Sequence, residues 1–331
     1  MFKYKILVIM SAGTLSGDGY EIGMSISAGV MDVLEEAIRT LFVDTGNSER
    51  AYVSGLVKRM ERGEISAFTL SHQGKTIGVI FYRMLEQEAE LIFGYLLAEY
   101  RGAERYFLSN IVNGLQTFGI HIVRSSFTWP DSEGFIRAAA DMGFVMIERK
   151  SMALNTRKIP LFSIGVYNDV KVCHWNSKYF DDVSRIMCDE AAPADKVVYP
   201  LFASYEGSKV LLQSIIENKH GTFMPELSMV AVSGNKTAGF LLSSVLVDGS
   251  VLILDIAVSR KYRKMGIGSL MLDHLINKCI ATGIGQIVLA VTSVNTDAIQ
   301  LYVRKGFKEM STFKQYVLCD SAKVSGKNFE F

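Results

Sequence analysis

The chain has 331 residues, enough at about 150 per domain for two domains that each bury a core. Hydrophobic residues make up 49% and charged residues 21%, which excludes a disordered chain. Lys plus Arg is 35 and Asp plus Glu is 34, so a formal charge of +1 gives no global field toward nucleic acid or an anionic membrane, and neither is expected as a partner.

At the start, Lys3-Tyr4-Lys5 followed by Ile6–Ala12 weakly imitates a secretory leader, with Ser11-Ala12-Gly13 as a cleavage region. The apolar part is short, and a first strand or an upstream start codon is the plainer reading. Strands are then expected near Ile65–Ser71, Thr76–Leu85 and Glu90–Leu97, a helix at Glu104–Phe118, a strand at Ile120–Phe127, a helix at Ser132–Met142 and a strand at Phe144–Leu154. Arg157-Lys158-Ile159-Pro160 has the look of a linker within residues 156–165.

The second half begins with a strand at Val170–His174 and helices at Ser177–Cys188 and Tyr205–Asn218. Strands follow near Leu227–Val232, Ala238–Val247 and Val251–Val258. A mean hydropathy of +0.21 requires a test for a membrane span. The longest apolar region, Thr237–Val258, is broken by Asp248-Gly249 and by Asp255, so it reads as two strands joined by a turn. The period then switches to 3.6, with Ile267, Leu270, Met271, Leu275 and Cys279 on one face and Gly283 and Gly285 closing the helix. A strand at Ile287–Val291, a helix at Thr296–Lys305 and a strand pair within Phe307–Leu318 complete the half. The four cysteines, Cys173, Cys188, Cys279 and Cys319, form no CxxC pair and have no His at metal-ligand spacing. They read as reduced core residues of a cytoplasmic protein with no metal site.

The two halves repeat each other. Lys75-Thr76-Ile77-Gly78 recurs as Lys236-Thr237-Ala238-Gly239 at an offset of 161. Tyr100-Arg101 recurs as Tyr262-Arg263 at 162, and Met142-Gly143-Phe144 matches Lys305-Gly306-Phe307 at 163. A period this long is a duplicated domain, not a solenoid unit. Each half is therefore expected to be an α+β domain.

Chemistry concentrates after the strand Val251–Val258. It runs into Ser259-Arg260-Lys261-Tyr262-Arg263-Lys264-Met265-Gly266-Ile267-Gly268-Ser269, a basic, Gly-containing turn that opens a helix. The first N–H groups of a helix lack partners and carry the positive end of the dipole, so this is an anion cradle. Gly266 and Gly268 let a pyrophosphate approach the backbone, and Arg263 and Lys264 add charge. Glycine also starts helices for structural reasons alone, so this segment by itself is ambiguous. The second segment is Asn295-Thr296-Asp297-Ala298-Ile299-Gln300-Leu301-Tyr302-Val303-Arg304-Lys305-Gly306-Phe307.

Together the segments resemble the GNAT acetyltransferase superfamily: its R-x-x-G-x-G loop at Arg263, Gly266 and Gly268, and its N-x-x-A-x-x-L-Y-x-x-x-G-F signature at Asn295, Ala298, Leu301, Tyr302, Gly306 and Phe307. The resemblance implies two GNAT-like domains, each a mixed, mostly antiparallel central sheet flanked by helices. Residues 1–155 form a degenerate domain, 166–320 a catalytic one and 321–331 a tail. It implies acetyl-CoA as co-substrate, lying where the strand before the loop splays from its neighbour. The backbone of Ile256, Ala257 and Val258 would pair with the pantetheine arm. An amide of Ile256 or Ala257 would polarise the thioester. The amides of Arg263, Lys264, Met265, Gly266, Ile267, Gly268 and Ser269 would hold the pyrophosphate. Asn295 would cap its helix and contact the cofactor. Tyr302 would protonate the departing thiolate, a role its phenol suits, although a core aromatic is the structural alternative. Asp255, a carboxylate in an apolar strand, either pairs with a neighbour or serves as the base.

One position departs from the family. Many relatives carry a Glu five residues before the Asn, including those that acetylate ribosomal-protein N-termini; here it is Ala290. The amine proton must then leave through Asp255, a residue elsewhere or a water chain. In the first half, Glu104 and Tyr106 stand at the positions of Gly266 and Gly268, and Ser132 and Ala139 at those of Asn295 and Tyr302. That half is expected to keep the fold without binding acetyl-CoA; Tyr95 and Trp129-Pro130-Asp131 either line an acceptor cleft or pack in its core. The layout is similar to that of mycothiol synthase and other tandem GNAT proteins. The expected activity is transfer of an acetyl group to a primary amine by direct attack, in a monomer. A longer acyl-CoA donor, or a non-enzymatic CoA-sensing or protein-binding module, are the alternatives. Acceptor specificity falls to Ser177–Asn218, where Asp181, Asp182, Asp189 and Glu190 either attract a cationic amine or form an exposed acidic face.

Overall fold

A computed structural model describes residues 19–23, 28–41, 47–85, 88–125, 133–165 and 169–319. The expectations on the N-terminal leader, Trp129-Pro130-Asp131, Ser132 and the tail lie outside the described residues. The chain divides into two units: residues 1–146 with 314–327, and 147–313 with 328–331. Each is a mostly antiparallel sheet with flanking helices.

Unit 1 contains β1 (Tyr20–Gly23), α1 (Ala28–Leu41), α2 (Asn47–Glu61), β2 (Ser66–His72), β3 (Lys75–Leu85), β4 (Glu88–Leu96), α3 (Glu104–Thr117), β5 (Ile122–Ser125) and α4 (Glu133–Asp141). Its core gathers Phe68, Phe81, Phe93, Phe107, Ile111 and Ala139, together with Tyr95. Tyr95 is therefore a core residue. The helices α1 and α2 have no counterpart in the sequence reading.

Unit 2 contains β6 (Val145–Asn155), β7 (Val170–His174), α5 (Phe180–Glu190), α6 (Pro193–Val198), α7 (Tyr205–Ile216), β8 (Thr222–Phe223), β9 (Met229–Ser233), β10 (Lys236–Val245), β11 (Val251–Val258), α8 (Ile267–Ala281), β12 (Gln286–Thr292) and α9 (Thr296–Arg304). The residues placed on one face of α8, Ile267, Leu270, Met271, Leu275 and Cys279, are all buried. They pack with Leu241, Ile253, Ile287, Leu289, Tyr302 and Phe307. The region Phe307–Leu318 is one strand, β13 (Lys308–Cys319), not a strand pair.

The division differs from a cut at residues 156–165. β6 pairs with β12 from Asn155–Gln286 to Arg149–Thr292 and so belongs to unit 2. β13 pairs with β5 from Tyr316–Ser125 to Cys319–Ile122, and its residues 314–319 so belong to unit 1. Each unit thus takes its last strand from the other half of the chain. The linker-like stretch is also part of unit 2. The Thr156 amide donates to Gly285 O at 3.1 Å, and the Asn277 side chain exchanges two 2.8 Å hydrogen bonds with the Phe162 backbone.

The duplication is visible in the irregularities of the sheets. In the β9–β10 pair an extra residue, Ala238, interrupts the register between Thr237 and Gly239; its equivalent in β2–β3 is Ile77. In the β10–β11 pair the register skips Leu254; in β3–β4 it skips Ile92. Bulges set local twist and re-aim side chains. Finding both at the repeat offset fixes the alignment of the halves residue by residue. Gly78 and Gly239 mark the same close strand approach. A Cβ on Gly239 would lie 2.7 Å from Ala257 O, and one on Gly78 2.7 Å from Leu96 Cδ1.

Candidate active site

In unit 2, β11 pairs in parallel with β12 only over Val251–Ile253 against Ile287–Leu289. Past that point each strand keeps one neighbour: β11 stays with β10 through Val258, and β12 stays with β6 through Thr292. The bulge at Leu254 sits at the start of the separation. The strands therefore part, and a cavity of about 860 Å³ opens between Asp255–Val258, Ala290–Thr292, the loop before α8, the C-terminal end of α5 with α6, and α9. That volume suits a cofactor-sized ligand. The Ser259 amide donates to Ala238 O at 2.9 Å, on the β10 side. Backbone groups alternate along a strand, so the Ala257 amide also faces β10, while those of Ile256 and Val258 face the gap.

The loop is shaped by two left-handed residues, Lys264 at φ 59° and Gly266 at φ 78°. Left-handed residues near a helix start turn successive amides toward one point, an anion-binding nest. Gly266 is also the N-cap of α8 and offers no side chain to occupy that point. Gly268 has a lesser constraint: a Cβ there would meet Leu301 Cδ2 at 3.5 Å, an ordinary contact. Of the loop residues 263–269, only Met265 does not line the cavity, and its side chain is exposed.

Arg263 does not direct its charge into the nest. Its Nε donates to Val258 O at 3.1 Å and its Nη2 pairs with Glu190 Oε2 at 2.6 Å. Glu190 Oε1 also accepts from the Arg260 amide at 2.7 Å. The pair clips the loop to the end of α5, and Glu190 is thereby removed from the acidic face considered for the acceptor. Asp181 and Asp182 are exposed and accept from Tyr205 and Thr237.

Asn295 caps α9, its Oδ1 accepting from the Ala298 amide at 3.2 Å, and it lines the cavity. Tyr302, on α9, is 5% exposed, with its ring 5.6 Å from that of Phe307. Burial, then the charges of Asp255 and Asp195, push its phenol above the usual range, so it stays protonated. Asp255 is half-buried and lines the cavity. Burial and the neighbouring charge of Asp195 push its carboxyl up to about 7, against a smaller opposing effect from the Ile256 amide.

Two residues of this site were not singled out in the sequence. Asp195 lies in the first turn of α6, its Oδ1 accepting from the Thr292 hydroxyl at 2.7 Å. Pro193 followed by Asp195 is a helix-start signal, and it was the available clue. Arg149, on β6, is 7% exposed. It donates to the Tyr199 hydroxyl at 3.0 Å and to Ala290 O at 2.8 Å. It reaches this cavity only because β6 joins the sheet of unit 2, and residue order alone does not reveal that. Among the described residues no group of three or more His, Cys, Asp and Glu is placed to hold a metal, and no helix is long and apolar enough to cross a membrane.

Residues 195–307 match the model of the acetyltransferase (GNAT) family. A curated relative, the [ribosomal protein bS18]-alanine N-acetyltransferase of Escherichia coli strain K12, is 32% identical over 90 residues, 27% of this chain. The chain spans 60% of that relative's length. Among solved structures, a GCN5-related N-acetyltransferase from Sphaerobacter thermophilus has 16% identity and a TM-score of 0.58, covering 91% of this chain and 96% of its own. A tandem GNAT protein from the clavulanic acid biosynthesis pathway has 12% identity and a TM-score of 0.51, covering 91% and 98%. These two likenesses concern the fold. The splayed strands and the looped helix start lie on the same segment as the family match, so residues 195–307 are similar in sequence and in local geometry to the acetyltransferase (GNAT) family.

Proposed function

We propose that this protein transfers an acetyl group from acetyl-CoA to a primary amine within the cavity of unit 2. The observation that carries the reading is the meeting of three features in one cavity: the nest at Lys264–Gly266, the amide of Ile256 facing the gap, and the half-buried Asp255 together with the buried Tyr302. In this reading the amides of the loop and first turn of α8 hold the pyrophosphate. The edge of β11 pairs with the pantetheine arm. The Ile256 amide polarises the thioester carbonyl, because the Ala257 amide is turned to β10.

Asp255 takes a proton from the ammonium form of the amine, and the nitrogen lone pair so freed attacks the thioester carbon. The carbon–sulfur bond breaks, and Tyr302 gives its proton to the sulfur. The second amine proton leaves the nitrogen and restores Tyr302. With its carboxyl near 7, Asp255 accepts a proton at neutral pH more readily than an ordinary Asp. It therefore replaces the Glu missing at Ala290. Unit 1 keeps the fold and does not bind acetyl-CoA.

The experiment is Tyr302→Phe, assayed for amine acetylation and for acetyl-CoA affinity. Loss of kcat by about 10²–10⁴-fold with affinity kept within about threefold supports the reading. Unchanged turnover in the variant, or no acetylation by the wild type, argues instead for a CoA-binding module without catalysis.

A further inference from the structure

Where β11 and β12 part, a side chain takes a backbone group out of the sheet. The Ser293 amide donates to Glu148 O at 2.9 Å, on the β6 side. Backbone groups alternate along a strand, so those of Val291 also face β6 and those of Ala290 face β11. The β11–β12 register then ends on a rung from the Ala290 amide to the Ile253 carbonyl. The Ala290 carbonyl stands one step further on, where the next rung would form. Past the bulge at Leu254, the β11 amide that faces the gap is that of Ile256. Its N–H is the natural donor for that rung.

Instead, Ala290 O accepts from Arg149 Nη2 at 2.8 Å. Arg149 Nη1 donates to the Tyr199 hydroxyl at 3.0 Å, and the guanidinium carbon lies 5.3 Å from the centre of the Tyr199 ring. That ring is tilted against Phe202, with centroids 5.4 Å apart. Arg149, Tyr199, Ile256 and Ala290 all line the one cavity. A buried guanidinium is costly unless it is hydrogen-bonded, and so is a buried carbonyl without a donor. Pairing the two removes both costs and leaves the Ile256 amide unclaimed by β12. We propose that Arg149 is a positioning residue that keeps the strands parted: it occupies the Ala290 carbonyl and so reserves the Ile256 amide for the carbonyl of the acyl donor. This rests on the acetyl-transfer reading of the same cavity, in which that amide polarises the thioester. Arg149 itself touches no reacting atom. The bulge turns the Ile256 amide toward the gap, Arg149 denies it a partner there, and Tyr199 holds the guanidinium in place.

A merely structural Arg149, tying β6 to β12, behaves differently when removed. Losing a tie loosens its surroundings and speeds amide exchange around it. Losing a spacer lets the ladder advance by one rung, which slows exchange at Ile256.

The test uses the full-length chain without ligand, as wild type, Arg149→Met and Arg149→Lys. Met has no donor, whereas Lys keeps one for Ala290 O. Amide hydrogen exchange is read by NMR at Ile256, with Ala257, paired on the β10 side, as the internal reference. Exchange at Ile256 should slow by about tenfold or more in Arg149→Met while Ala257 stays unchanged. The kcat for amine acetylation should fall by about 10²–10³-fold, the cost of losing one oxyanion donor. Both effects should revert in part in Arg149→Lys. Tyr199→Phe keeps Arg149 but removes one of its partners, and should move both readouts the same way by less. It carries the test if Arg149→Met does not fold. Unchanged or faster exchange at Ile256 in the variants, or slowed exchange with kcat unchanged, overturns the assignment; a wild type that acetylates amines then leaves acetyl transfer intact. A wild type that binds no acetyl-CoA overturns the acetyl-transfer reading, and with it the purpose of the reserved amide.

Discussion

In unit 2 the loop between β11 and α8 contains two left-handed residues, Lys264 and Gly266; its counterpart between β4 and α3 in unit 1 contains one, Gly102 at φ 109°. The difference traces to a single side chain. Glu104 stands where Gly266 does, and a Glu resists the left-handed region. The helix therefore begins at Glu104 itself, one position earlier than α8 does at Ile267. The Glu104 carboxylate then turns onto the loop, accepting from the Gly102 amide at 2.5 Å. It also lies against Gly134 in the first turn of α4, where a Cβ would collide with it. A carboxylate of unit 1 thus lies on the loop that corresponds to the nest of unit 2. The same contrast holds elsewhere: Asp255 aligns with Phe93, and Tyr302 with Ala139, both core residues of unit 1. One fold with the same two bulges thus places Asp255 and Tyr302 at a cavity in one copy and Phe93 and Ala139 in the core of the other.

Moving single residues of unit 1 into unit 2 sharpens this contrast. The largest effect is expected from Gly266→Glu, which imports both the helix start and the carboxylate. Repulsion at contact distance, about 1–4 kcal/mol, should weaken acetyl-CoA binding by about 5- to 1,000-fold in calorimetry. Undiminished affinity would mean that the nest is not the pyrophosphate site.

Asp255→Asn comes next. In the wild type, kcat/KM should fall as pH drops below about 7, when Asp255 gains its proton. The effect on stability has the opposite sense. Between the ordinary carboxylate value of 3.8 and about 7, the folded protein keeps a proton that the unfolded chain has lost. Stability therefore falls as pH rises through that window, and the full penalty applies above it. Asp255→Asn should abolish the acidic limb with most of the activity. It should raise Tm on the order of 5 °C at pH 8 with little change at pH 4. Equal Tm shifts at both pH values would contradict a carboxylate that is costly to ionise in the fold.

The smallest effect belongs to unit 1. Glu104→Gln removes a charge from two helix starts, worth about 0.3–1 kcal/mol, and should lower Tm by about 1–4 °C without creating a second acetyl-CoA site. A second site in that variant would show that Glu104 alone closes the cradle, and that Phe93, Tyr106 and Ala139 contribute nothing to the closure.

The contrast was legible in the sequence where it depends on local residue type. The offsets of the repeat, the helix face of α8, the Asn295 cap and the substitution of Glu104 for Gly266 are all properties of short segments. What was hidden depends on pairing across long separations. A strand at Phe144–Leu154 reads the same whichever sheet it joins, so the exchange of β6 and β13, and the arrival of Arg149 in unit 2, left no local trace. Arg263 carries the family spacing, yet its ion pair is with Glu190, 73 residues earlier. Asp195 lies on a six-residue helix, too short to show a period. The segment at 156–162 has the composition of a linker and is held to unit 2 by Thr156 and Phe162, whose partners lie more than 100 residues away.

The central claim is that one unit binds acetyl-CoA and the other has closed the equivalent place. Calorimetric titration of acetyl-CoA into the wild-type chain tests it most directly, with Gly266→Glu as the partner measurement. One site per chain, lost in the variant, is the predicted result. Two sites per chain, or one site that survives Gly266→Glu, would contradict the account.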